Sequence, residues 1–140
     1  MNDQPRRPVS APTPLTQGFW DNAQAGRLVV QCCDSCSALR HYPQPLCPDC
    51  QSVHWHWQKL IGRGRVYTYT VCHRAFHPYW TDKTPYVLAT IQLVEGPRMV
   101  SDLPTADTNR VSIGAPVEAF FEDVMTTDGV PARLPRFRLA

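Results

Sequence analysis

The sequence predicts a mainly β chain: one short N-terminal helix, then a ribbon built on two cysteine knuckles, then a small five-stranded barrel. Three observations carry this. Two Cys-x-x-Cys pairs, Cys33-Asp34-Ser35-Cys36 and Cys47-Pro48-Asp49-Cys50, stand with ten residues between them. The 140 residues include 14 prolines and 7 glycines, punctuation that favours short strands and turns over long helices. From Lys59 onward, runs of β-branched and aromatic residues alternate with turn residues.

Residues 1–12 are polar and proline-rich and read as a disordered arm. The helical segment spans 13–27. Thr13 suits the N-cap and Pro14 the first helical position, and Gly26 suits the C-terminal end. Leu15, Phe19 and Ala23 recur every four residues on one face, with Trp20 at its edge. Gly18 weakens the segment. A helix this short is not stable alone and must bury that face. Phe19 and Trp20 are therefore candidates for packing on their own domain or for contact with a partner.

Residues 28–58 form the ribbon. Leu28–Gln31 is a short strand leading into the first knuckle. Each Cys-x-x-Cys turn aims two sulfurs at one point, and Cys33, Cys36, Cys47 and Cys50 together supply the four thiolates that tetrahedral zinc prefers. Two disulfides or four unrelated buried thiols are the bland alternatives. A redox pair would need only one such motif, and no thioredoxin-like βαβ pattern surrounds either. Cys32 would stretch the first knuckle to Cys-x₃-Cys and fits less well, while Cys72 reads as a small buried hydrophobe. Val53–Trp57 alternates with period two, placing both tryptophans on one face and His54 and His56 on the other, toward solvent. His41 is read as solvent-facing too.

Residues 59–140 carry the barrel. Val66–Val71, Tyr86–Leu93, Met99–Ser101, Val117–Phe121 and Leu134–Leu139 are the five expected strands. Closing such a set removes exposed edges, and the OB-type barrel is the usual five-stranded solution.

A net charge of +2 makes no global case for nucleic acid. From Arg27 to Arg74 six basic residues face two acidic ones, whereas from Ala75 onward six face eight. The first eight residues lack the apolar core of a signal peptide, and no apolar run nears the roughly 18 residues of a membrane span. The cytoplasm is the expected compartment, where thiols stay reduced and available to metal.

Catalytic patterns are absent from the sequence. Gly62-Arg63-Gly64 precedes a strand rather than a helix, so it says little about phosphate. His73 and His77 have no identifiable acid–base partner in sequence. A four-sulfur zinc site has no open position and serves folding rather than Lewis-acid chemistry. The loop Arg74–Pro85 stands out, because it carries Phe76, Tyr79 and Trp80 between prolines. Such aromatics either fold onto their own barrel or anchor an interface.

Several motifs together resemble a known family. They are Phe19-Trp20, Gly26-Arg27-Leu28, Cys33-x-x-Cys36, Cys47-Pro48-x-Cys50, Gly62-x-Gly64-x-Val66-Tyr67-x-Tyr69-Thr70, Pro85-Tyr86-Val87, Ile113-Gly114-x-Pro116-Val117 and Leu134-Pro135-Arg136-Phe137. The chain resembles, over roughly Leu15 to Leu139, the zinc-ribbon/OB-fold acyl-CoA-associated proteins, long catalogued as a domain of unknown function. It departs from them in Ser37, where the family often has Gly, and in the Cys32-Cys33 doublet. The resemblance implies a rubredoxin-like ribbon with one structural Zn²⁺ and an OB barrel. It also implies a non-catalytic subunit paired with a thiolase, a lipid-transfer-like thiolase or aldolase, or an acyl-CoA hydratase, handling acyl-CoA in lipid, sterol or aromatic breakdown. Arg63, Arg65 and Arg74 would then be candidates for the CoA phosphates, and Phe19, Trp20, Phe76, Tyr79 and Trp80 for the partner interface. The competing reading is a single-stranded nucleic-acid module, since ribbons and OB barrels also serve that role; the acidic later strands argue against it.

Overall fold

The computed structural model describes residues 4–140. The first three residues of the expected arm lie outside them. Helix α1 spans Gln17–Gln24 and starts later than the spacing predicts, with Thr16 rather than Thr13 at its N-cap. The reason is a preceding turn: the Thr13 carbonyl accepts the N–H groups of both Thr16 and Gln17 (3.0 and 2.8 Å), and the Thr16 hydroxyl turns back to the Thr13 N–H. At the other end Gly26, with φ +76°, permits a Schellman closure. Its N–H reaches the Ala23 carbonyl and the Arg27 N–H reaches that of Asn22 (2.9 and 2.8 Å). Ala23 is fully buried, and Phe19 packs against the core.

The ribbon is a three-stranded antiparallel sheet in the order β2-β1-β3, with β1 at Val29–Cys33, β2 at Leu39–Arg40 and β3 at Trp55–Lys59. All five residues of the central β1 are buried. Strand β3 runs two residues later than the alternation predicts. His54 is spent on the knuckle, where its carbonyl accepts the Asp34 N–H at 3.0 Å. Gly18 has its explanation here: a Cβ on it would lie 2.1 Å from Trp57 Nε1. The helix can seat on the ribbon only where a side chain is missing.

The second sheet runs β6-β5-β4-β7-β8, all antiparallel. Its strands are β4 (Arg63–Cys72), β5 (Tyr86–Leu93), β6 (Arg98–Asp102), β7 (Pro116–Met125) and β8 (Pro131–Leu139). Strand β5 alternates as the pattern requires, with Val87, Ala89, Ile91 and Leu93 inward. Each such large side chain contributes about 1.5–3 kcal/mol when fully buried. Gly64 lets β4 press on β5, since a Cβ there would meet the Gln92 carbonyl oxygen at 2.4 Å.

All five strands of the expected OB barrel are present. No backbone ladder joins β6 to β8; side chains span the gap instead. Ser101 Oγ accepts the Phe137 N–H (3.0 Å), Arg136 Nη2 meets Asp102 (2.7 Å), and Asp107 Oδ2 accepts the Leu139 N–H (3.0 Å). The β8 donors that a ladder would have used thus find side-chain oxygens. Leu28 and Val30 of the ribbon join Leu60, Val66, Ile91, Met99 and Phe137 in one core, so ribbon and barrel are not packed separately.

Candidate metal centre and aromatic loop

The two knuckles have the same local construction. In each, the carbonyl of the first cysteine accepts the N–H four residues on: Ser37 to Cys33 (2.9 Å) and Gln51 to Cys47 (2.8 Å). Those acceptor-bound residues, Ser37 and Gln51, both adopt left-handed backbone with φ of 62° and 64°. The turns bring the sulfurs of Cys33, Cys36, Cys47 and Cys50 within 4.8 Å of one another, with Cys33–Cys50 at 3.5 Å and Cys36–Cys47 at 3.6 Å. A tetrahedron with Zn–S bonds of about 2.3 Å separates its sulfurs by about 3.8 Å, whereas a disulfide needs about 2.05 Å. The four thiols are free, and the donor set fits zinc.

Local electrostatics prepare the site. The Cys36 N–H, backed by that of Ser35, lowers the Cys33 thiol to about 6. The Cys50 N–H does the same for Cys47, which is also held below its ordinary value. Cys36 goes the other way: the Ala38 N–H favours its thiolate, but desolvation and the crowding sulfurs win and push it up to about 12. Cys50 is likewise raised. Four thiolates this close need a dication between them.

Cys32 is not a fifth ligand. Its sulfur is buried and faces the Cys33 and Ser37 carbonyls at 3.8 and 3.7 Å. Cys72 is half-buried beside Tyr86 rather than enclosed. His54 and His56 are exposed as expected, and His56 Nδ1 pairs with Asp34 at 2.5 Å. His41 is the correction. Its ring packs between Phe19 and Tyr42 (5.6 and 4.1 Å), and burial drives it down to about 4, so it is a neutral packing residue. The apolar face of the helix drew it in, and the alternation of the sequence carries no trace of that.

Arg63 and Arg65 lie exposed on one face at the start of β4, beside a groove of about 340 Å³ shared with Pro116 and Glu118. Arg74 lies past the other end of that strand, over the Phe76 ring at 5.3 Å. The three do not converge. In the loop, Tyr79 and Trp80 form a short 3₁₀ turn, Pro78–Trp80, capped by His77 Nδ1, which accepts the Tyr79 N–H at 3.1 Å. Trp80 stacks on Tyr86 at 4.2 Å, while Phe76 is 76% exposed. Phe19 and Trp20 meet edge to face at 5.2 Å and line a crevice of about 420 Å³ between helix and barrel.

Sequence reasoning missed a buried charge cluster. Arg7, from the arm, pairs with Asp102, which also binds Arg136, which in turn holds Glu122 at 2.9 Å. Nothing in the spacing links residues so far apart.

Fold and donor set together define a zinc-ribbon/OB-fold protein. Residues 20–53 match the model of the ChsH2 rubredoxin-like zinc ribbon domain, and residues 57–122 that of the ChsH2 C-terminal OB-fold domain. The chain belongs to the ChsH2-type, or DUF35, family. It is 42% identical over 100 residues to the probable enoyl-CoA hydratase alpha subunit of Thermomonospora curvata, covering 71% of this chain and 31% of that protein. Against the 3-oxo-4,17-pregnadiene-20-carboxyl-CoA hydratase alpha subunit of Mycobacterium tuberculosis, identity is 38%, with 77% and 34% covered. The chain thus spans about a third of these relatives' length. Against a DUF35 domain-containing scaffold protein of Methanocaldococcus jannaschii, identity is 34%, with 66% and 65% covered. The solved structure of the Ltp2-ChsH2(DUF35) aldolase superposes with a TM-score of 0.80 at 35% identity, covering 94% of this chain and 98% of that one. Among the described residues, no helix is long and apolar enough to cross a membrane.

Proposed function

We propose that this chain is a non-catalytic accessory subunit that docks on a larger acyl-CoA enzyme of the thiolase, aldolase or hydratase type. In this reading it shapes the enzyme's handling of acyl-CoA during the breakdown of lipids, sterols or aromatic compounds. The single observation that carries the reading is the aromatic loop between β4 and β5, which leaves Phe76 exposed while Trp80 is stacked on Tyr86 of the barrel. A large exposed aromatic on a braced loop is the form an interface anchor takes. The relatives support it, two bearing the names of hydratase alpha subunits, one that of a scaffold protein, and one solved within an aldolase. Phe19 and Trp20 would extend the docking face. The closed four-sulfur site contributes folding, not chemistry, and its reduced thiols suit the cytoplasm. Arg63 and Arg65 at one end of β4, and Arg74 past its other end, are the candidates for contact with CoA phosphates.

The test is affinity capture of the native chain from its own host, followed by mass spectrometry. A thiolase-, aldolase- or hydratase-type enzyme is expected, and Phe76→Ala should reduce its recovery about tenfold or more with zinc content unchanged. Turnover of a thioester by the isolated chain would overturn the accessory role. So would salt-sensitive binding of a single-stranded oligonucleotide with no enzyme captured.

A further inference from the structure

The arm, the loop and the barrel edge meet at one point. Asp102 ends β6 with its side chain only 6% exposed, and it takes two guanidinium groups, Arg7 and Arg136, themselves 10% and 12% exposed. Arg136 already has a second carboxylate in Glu122. Arg7 has none. Its other neighbours are aromatic: its guanidinium carbon stands 4.9 Å from the Trp80 ring centre and 5.5 Å from that of Tyr79. Trp80 in turn rests on Tyr86 with ring planes 19° apart. The Asp102 charge keeps Arg7 fully ionised against the opposing effect of burial.

A buried carboxylate floor beneath the Trp80 face suits a planar cation, while the Tyr79 ring is shared with the Lys83 ammonium, 4.0 Å from its centre. We infer that Asp102, Tyr79 and Trp80, with Tyr86 stacked behind Trp80, form a guanidinium-binding site, which the chain fills with Arg7 of its own N-terminal arm. The charges favour the occupant: with Arg7 in place, two arginines balance buried Asp102 and the 31%-exposed Glu122, and without it Arg136 alone must serve both carboxylates. Filling the site also sets the loop. Tyr79 and Trp80 belong to the segment that presents Phe76, so Arg7 is a positioning residue for the exposed anchor. The site itself does not depend on the identity of any partner.

Full-length Arg7→Ala tests this through amide hydrogen exchange of Trp80, Thr81 and Lys83, whose N–H groups close the loop's turns. Their exchange should speed up about tenfold, with zinc content and circular dichroism retained. Millimolar ethylguanidinium should restore slow exchange, ethylammonium should not, and adding Asp102→Asn should abolish the rescue. Unchanged exchange in Arg7→Ala, or equal rescue by the two cations, would overturn the proposal. A second measurement needs no variant: in the intact chain the Arg7 guanidinium should give slowly exchanging nitrogen-bound proton resonances, unlike the exposed Arg6. Equally fast exchange of both would overturn it as well.

Discussion

At the residue scale, the metal centre is a competition between zinc and protons for sulfur. Cys33 loses its proton at about 6, while Cys36 keeps its own up to about 12. A depressed value means that the stabilisation from the Cys33 thiolate is present above that range and lost as pH falls through about 6. Bound zinc holds the thiolates against protonation below their metal-free values, so zinc should be held at neutral pH and pass to a chromogenic chelator only at pH below about 6. Cys33→Ser should shift that release to higher pH. The knuckle backbone yields a second prediction. Ser37 holds a left-handed conformation that costs a side chain about 1–2 kcal/mol and a glycine nothing comparable. Ser37→Gly should raise stability by about 0.5–1 kcal/mol once glycine's greater unfolded-state entropy is counted, as read by urea unfolding.

At the element scale, the short helix is held by its seat rather than by its own propensity. Alanine at position 18 would favour an isolated helix by about 1 kcal/mol. Here its Cβ would collide with the Trp57 indole, and overpacking of that kind costs about 1–3 kcal/mol. Gly18→Ala should lower the urea midpoint, and combining it with Trp57→Leu should recover most of the loss. If the single variant proved more stable than the parent, the helix would not be seated as described.

At the scale of the whole molecule, ribbon and barrel share Leu28, Val30, Leu60, Val66 and Phe137 in one core. Removing zinc should therefore loosen the barrel as well as the knuckles. Chelation should lower the melting temperature of the barrel signal, with ribbon and barrel probes changing together. Two separate transitions would mean that the core is not truly common.

The periodic and the local were legible from the residues alone. The knuckle spacing specified the four ligands, because a Cys-x-x-Cys turn converges its own sulfurs whatever surrounds it. The alternation along Tyr86–Leu93 specified an inward face, because a strand's side chains can only alternate. Those features are set within a few residues of chain. What the tertiary structure decided were encounters between distant segments: His41 drawn under Phe19, Gly18 cleared for Trp57, Arg74 carried away from Arg63 and Arg65, and Arg7 laid on Asp102 across 95 positions. Side-chain pairing of that kind depends on which surfaces the fold brings within a few ångströms, and no short-range pattern encodes it.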